Sequence, residues 1–189
     1  KLTMEKMIKW CEQAHQIRYV SLRYFNVAGA REDGAIGEDH TPETHLVPII
    51  LQTALGQRQE MTIFGNDYKT EDGTCIRDYV HVEDLIDAHL RALHYLNEGG
   101  SSDIFNLGSS KGFSVKEMIE EARRVTGCTI PAVLGERRAG DPDVLIASAE
   151  KAKKVLGWAP KRTSISKIIE DAWNWHVNNP TGYEEESKC

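Results

Sequence analysis

The sequence predicts an α/β fold with parallel strands. Short β-prone runs at residues 18–25, 61–64, 75–82, 103–108 and 130–134 alternate with stretches of helical apolar spacing. The first run gives way to small residues at Asn26 to Ala30, and open parallel sheets hold their ligands at such strand ends. With 189 residues, the chain can bury a core of one domain or of a domain and a half.

The elements follow in order. Met4, Met7, Ile8, Cys11 and Ala14 set a first helical stripe with no capping residue before it. Arg18 to Phe25 is the first strand, and Asn26 after it reads either as a turn residue or as a ligand contact. A loop rich in Gly, Asp and Glu spans residues 31–41. Thr44 is placed to cap a helix from His45 to about Leu55, with Pro48 in its first turn and Val47, Ile50, Leu51 and Ala54 on its apolar face. Met61 to Phe64 stops at Gly65, a polar loop covers 66–74, and the strand at 75–82 runs into a helix striped by Leu85, Ala88, Ala92 and Leu96, with Ile86, Leu90 and Leu93 beside them. Glu83 and Asp84 fall in its first turn, where the helix dipole favours acids. Ser114 and Glu117 form a capping box for a helix that Gly127 stops. Pro131 puts the run Ile130 to Leu134 at a sheet edge. Ser148 is placed to cap a short helix ended by Gly157, and Ile165, Ile168, Ile169, Ala172 and Trp173 face inward from the last helix.

Composition narrows the partners. A net charge of -6 argues against nucleic acid. The four cysteines, Cys11, Cys75, Cys128 and Cys189, form no C-x-x-C pair, so neither a disulfide framework nor a zinc site is expected, and a reducing cytoplasm fits. No apolar run approaches the roughly 20 residues that span a bilayer.

Two stretches carry chemistry. Arg77 stands at the edge of the 66–74 loop, where a guanidinium suits an anionic ligand or, alternatively, a salt bridge to Asp78 or Asp84. Arg137 and Arg138, followed by a glycine and Asp141, lie in a second loop, where such a run is usually a solvated charge cluster. The wording from Ile63 to Leu85, I-F-G-N-D-Y-x-T-x-D-G-T-x-x-R-D-Y-x-H-V-x-D-L, resembles the UDP-glucose 4-epimerases of the extended short-chain dehydrogenase/reductase superfamily. Nearly the whole chain follows the same pattern.

This resemblance implies the C-terminal part of an NAD(P)-binding Rossmann-like fold: the last strands of the parallel sheet with a smaller mixed α/β substrate-binding domain. Residues 1–30 are then the last helix and strand of the dinucleotide-binding domain, 31–182 mainly the UDP-sugar-binding domain with segments returning to the sheet, and 183–189 an acidic tail. Lys1-Leu2-Thr3-Met4-Glu5 is similar to the family wording after Y-x-x-x-K, which makes Lys1 the motif's catalytic and cofactor-binding lysine, with its tyrosine four residues upstream. The chain has no G-x-G-x-x-G, and the expectation is a piece of a longer enzyme, inactive alone. In the family, Phe25 lies beside the nicotinamide of NAD and Asn26 touches the nucleotide-sugar. His45 and Leu46 match a substrate-contacting pair that is commonly Asn-Leu. The strand edge Thr62, Ile63 and Phe64 faces the uracil, Arg77 and Arg138 clamp the diphosphate, Asp141 accepts from the ribose, and Leu145 lines the sugar pocket. A leucine at 145 is smaller than the tyrosine found there in some members, and some tolerance of N-acetylated sugars is expected. No metal is implied.

The implied activity interconverts UDP-glucose and UDP-galactose, in galactose metabolism, through a 4-keto intermediate with bound NAD, in a homodimer. The alternatives are another nucleotide-sugar enzyme of the superfamily (dehydratase, decarboxylase or reductase) and a non-catalytic nucleotide-sugar-binding module.

Overall fold

A computed structural model describes residues 1–183. The acidic tail expected from 183 therefore lies, apart from Tyr183, outside the described residues. The order is α1 (Leu2–His15), β1 (Val20–Arg23), β2 (Asn26–Ala28), α2 (Leu46–Ala54), β3 (Met61–Phe64), β4 (Ile76–His81), α3 (Val82–Asn97), β5 (Asp103–Asn106), β6 (Gly112–Ser114), α4 (Val115–Thr126), β7 (Ala132–Gly135), β8 (Val144–Leu145), α5 (Glu150–Leu156) and α6 (Ile165–Asn178). The α/β expectation holds.

Parallel pairing dominates. β1 pairs with β5, β2 with β4, β3 with β7 and β8 with β4, all parallel, while β6 meets β4 antiparallel. Strand β4 is the hub: its first half takes β6 and β8 as neighbours and its second half takes β2. Arg77 sits where β6 and β8 meet β4, opposite Phe113 and Leu145.

Two cores flank this hub. One gathers Val47, Ile50 and Leu51 of α2, Met61 and Ile63 of β3, Met118, Ile119 and Ala122 of α4, and Ile168, Ile169 and Ala172 of α6. The other joins Val80, Leu85, Ala88 and Ala92 to Phe105, Leu107, Ala152, Leu156 and the fully buried Trp158, with Val20, Leu22 and Val27 packed against it. The Trp158 indole N–H donates to the Asp84 carbonyl at 2.9 Å, which satisfies the one polar atom a buried tryptophan carries. Trp173 packs against the first core, as expected, and Trp175 is buried. No helix among the described residues is long and apolar enough to cross a membrane.

Several local expectations need correction. Asn26–Ala28 is not a turn but a strand of its own, in register with Tyr79–His81. Thr44 does not cap α2. The N-cap position is His45, with no side-chain cap, and the Glu43 carboxylate instead accepts from the N–H groups of Thr44 and His45, which precede the first helical residue, at 2.6 and 2.7 Å. Ser148 does not cap α5, which starts after Ala149 with no side-chain cap. Ile86, Leu90 and Leu93 of α3 face outward, while Leu85, Ala88 and Ala92 are buried. The Ser114 and Glu117 box is present in full, and His81 caps α3 by accepting from the Glu83 N–H at 3.1 Å.

Candidate functional site

Asn26, His45, Leu46, Thr62, Ile63, Phe64, Arg77, Arg138 and Asp141 line one cleft of about 480 Å³. They come from β2, the start of α2, β3, β4 and the loop after β7. Arg77 forms no salt bridge with Asp78 or Asp84. Both of those carboxylates are buried and already engaged: Asp78 accepts from the Ser109 N–H, the Ser109 hydroxyl and the Ala147 N–H, and Asp84 accepts from the N–H groups of Lys161 and Arg162. The Arg77 guanidinium instead donates to Asp141 Oδ1 at 2.7 Å and to its neighbour's carbonyl, Ile76 O, at 2.7 Å. Tyr68 donates its hydroxyl to the other oxygen of Asp141 at 3.2 Å. Burial, with Asp141 beside it, pushes the Tyr68 phenol up, so it stays a protonated donor.

The two arginines of the second loop are held by aromatic faces. Arg137 lies 3.9 Å over the Tyr68 ring and reaches Asp143 at 2.7 Å, while Arg138 lies 4.0 Å over the Phe64 ring. Arg138 has no carboxylate partner among the described residues, so its charge is available to a ligand. Gly65 permits the arrangement. Its φ is +87°, and a Cβ there would meet the Tyr68 ring at 2.9 Å and Arg137 at 3.0 Å.

Strand β3 offers the cleft its backbone rather than all its side chains. Met61 and Gly65 donate to the carbonyls of Pro131 and Gly135, and by the alternation of a parallel ladder the N–H and C=O groups of Thr62 and Phe64 point to the opposite edge. The Ile63 side chain is buried in the core, so it serves only through its main chain. Asn26 donates its side-chain amide to the Asp78 carbonyl at 3.1 Å, which fixes its orientation. The exposed His45 ring lies 2.8 Å from Glu38 and 3.0 Å from Glu43. Burial, with Glu43 next to it, raises the Glu38 carboxyl.

Lys1, Phe25 and Leu145 line a neighbouring hollow of about 720 Å³, which Asn26 and Arg77 also border. The expected residues thus fall into two adjoining spaces, with Asn26 and Arg77 on the wall between. The sequence reading missed Tyr68 and Arg137 as members of the site. Both stood inside the quoted stretches, but what makes them matter is a contact between loops about 70 residues apart, which local spacing does not reveal.

An arginine-bearing cleft across strand ends of a mostly parallel α/β unit is an arrangement suited to an anionic ligand. The sequence model of the NAD dependent epimerase/dehydratase family matches residues 1–108, more than half of the chain, and the chain belongs to that family. It is 58% identical over 188 residues to the UDP-glucose 4-epimerase of Halalkalibacterium halodurans, a match covering 100% of this chain and 56% of that protein. With the UDP-glucose 4-epimerase of Streptococcus mutans it shares 60% identity over 185 residues, 98% of this chain and 56% of that one. Among solved structures, one UDP-glucose 4-epimerase superposes with a TM-score of 0.94 at 57% identity, over 97% of this chain and 56% of that chain. The Bifidobacterium longum enzyme in complex with NAD+ and UDP superposes at 0.90 with 35% identity, over 97% and 55%. The chain spans about half the length of the curated relatives it matches.

Proposed function

We propose that this chain is the C-terminal, UDP-sugar-binding portion of an NAD-dependent UDP-glucose 4-epimerase, which interconverts UDP-glucose and UDP-galactose as a homodimer. The observation that carries the reading is the convergence of Asn26, Arg77, Arg138, Asp141 and the free edge of β3 on one cleft. Residues 1–30 belong to the dinucleotide-binding part. Residues 31–182 form mainly the sugar-nucleotide part, with α3 and β5 returning to the sheet, a division supported by the packing of Val20 and Leu22 against Val80, Leu85 and Phe105.

Each group has a physical task. The backbone of Thr62 and Phe64 offers donors and acceptors at the edge that faces the uracil. Arg138, flat on Phe64, and Arg77, on β4, supply the paired N–H donors that a diphosphate of about two negative charges requires. Asp141 accepts from a ribose hydroxyl through the acceptor capacity its two oxygens keep beyond the single bond each takes from Arg77 and Tyr68. Asn26 stands at the junction of the two hollows, where the sugar would meet the cofactor. The residues fit NAD: Phe25 is 45% exposed beside the hollow that Lys1 and Leu145 line, an open aromatic face for a planar ring. NAD, when bound, supplies the site that accepts and returns hydride at the sugar. Lys1 would serve as the lysine of Y-x-x-x-K, whose positive charge favours the ionised phenol of its tyrosine partner.

Calorimetry with a ligand ladder tests the reading on this chain. UDP should bind more tightly than UMP, and UMP more tightly than uridine, because each phosphate removed leaves a guanidinium without its partner. Equal affinities across the ladder, or no saturable binding of UDP, would overturn it.

A further inference from the structure

The segment leading into α2 gathers ligand-type groups, of which nucleotide binding accounts for His45 alone. Glu43 Oε1 lies 3.0 Å from His45 Nδ1 and 3.8 Å from His40 Nδ1, and Glu38 Oε1 lies 2.8 Å from the same His45 nitrogen. One ligand atom from each of His40, Glu43 and His45 falls within 4.8 Å of the others, and the two imidazole centroids are 5.3 Å apart. That spacing suits a shared ion.

The support around the cluster is that of a built site. Glu43 is fixed by accepting from two backbone N–H groups, at 2.6 and 2.7 Å, and its side chain is only 4% exposed. Above it the His40 and His45 side chains are 48% and 56% exposed, so nitrogen ligands open to solvent stand over an anchored, largely buried anion. Outer hydrogen bonds of this kind hold ligating carboxylates in position. His45 is further constrained as the residue from which α2 starts.

We propose that His40, Glu43 and His45 bind a divalent cation of the zinc class, with Glu38 able to close the fourth position. Two imidazoles and one carboxylate form a three-ligand zinc set with an open place, and nitrogen ligands favour Zn²⁺, Co²⁺ or Ni²⁺ over Mg²⁺ and Ca²⁺, which prefer all-oxygen sites. The cation takes the place between His45 Nδ1 and the two carboxylates. Charge is balanced, since two carboxylates neutralise the ion. The bound ion would tie the 31–45 loop to the first turn of α2, and through His45 and Glu43 it would stiffen one wall of the cleft. The site uses none of Arg77, Arg138 or Asp141 and stands whether or not UDP binds.

Titration of the full 189-residue chain with Co²⁺, followed by visible absorption, tests this without any nucleotide. The expected result is saturation at one equivalent, with the band intensity of a four- or five-coordinate nitrogen and oxygen site and displacement by Zn²⁺. His40→Ala should weaken Co²⁺ binding at least about 10-fold with an unchanged melting temperature, because the ring is half exposed. Glu43→Gln should abolish binding, and if that variant fails to fold, His40→Ala and His40→Gln decide. No uptake by the unaltered chain, equal saturation curves for it and His40→Ala, or a spectrum dominated by thiolate charge transfer from the four cysteines would overturn the proposal.

Discussion

Arg138 and Asp141 are three residues apart and respond to opposite demands. Arg138 lies over Phe64 with no carboxylate against it among the described residues, so its replacement by alanine removes a charge-assisted donor without exposing a buried partner. UDP affinity should fall by about 1.5–3 kcal/mol, roughly 10- to 150-fold by calorimetry, and an unchanged affinity would remove Arg138 from the site. Arg77 is different, because its Nη2 is already committed to Asp141 at 2.7 Å. Asp141→Asn removes the competing charge. Pyrophosphate, which has no ribose for Asp141 to hold, should therefore bind more tightly to Asp141→Asn by roughly 1 kcal/mol, about fivefold, at the effective dielectric of a half-buried pair. Equal or weaker pyrophosphate binding would mean that Arg77 does not face the phosphates. The sequence named Arg77 because a guanidinium at a loop edge suits an anion, and it named Arg138 and Asp141 through the family resemblance of their loop. It left Arg77 choosing between Asp78 and Asp84, because a partner 64 residues away is invisible to spacing, and the buried roles of Asp78 and Asp84 emerge only when distant backbone N–H groups close around them.

At the scale of elements, α4 and the 66–74 loop stabilise one another through Ser114, with Lys116 adding bonds to the Thr74 hydroxyl and the Asp72 carbonyl. The Ser114 side chain accepts from the Glu117 N–H at 3.0 Å, Glu117 returns the bond to the Ser114 N–H at 2.7 Å, and the Ser114 hydroxyl also donates to Asp72. Burial alone would raise the Asp72 carboxyl, but hydrogen bonds from Ser114 and Thr74 outweigh it and hold the carboxyl below its usual range. A depressed folded-state pKa contributes stability above the unfolded value of about 3.9 and loses it as pH falls through the folded value. Ser114→Ala should therefore cost about 1–2 kcal/mol in urea unfolding at pH 7, and the gap from the unaltered chain should narrow near pH 3. A constant gap across that range would show that the Asp72 bond contributes nothing. This capping box was legible because its signature is local, as were the stripes of α3, α4 and α6. Strands β2 and β6 were not. Each has three residues, too few for alternation to register, and each is a strand only because β4 lies beside it to receive its hydrogen bonds. The Thr44 cap failed because the helix starts one residue later than expected, which leaves His45 and not Thr44 at the capping position.

Over the whole molecule, apolar surface is distributed unevenly. Helix α1 buries none of its 14 residues, and Leu2, Met4, Met7, Ile8 and Trp10 are 37–66% exposed. Its tie to the body includes the Glu5 carboxylate, which accepts from Arg23 Nε at 2.7 Å; this is an exposed pair of the kind that contributes little. Five such side chains offer on the order of 500 Å², short of the roughly 800 Å² per partner found in stable complexes, so self-association through α1 should be real but weak and reversible. The net charge of -6 opposes the approach of two copies, and salt screens that repulsion while leaving the apolar contact intact. Association should therefore strengthen between low salt and about 0.5 M NaCl, the reverse of a charge-driven dimer. Sedimentation velocity over a concentration series reads this directly. The unaltered chain should show a sedimentation coefficient that climbs with concentration, more steeply at high salt, and Met4→Lys combined with Met7→Lys should flatten it while leaving the melting temperature unchanged, because neither side chain is buried. A double variant that associates like the parent would place the contact elsewhere, and the outward-facing Ile86, Leu90 and Leu93 of α3 would then be the surface to alter next.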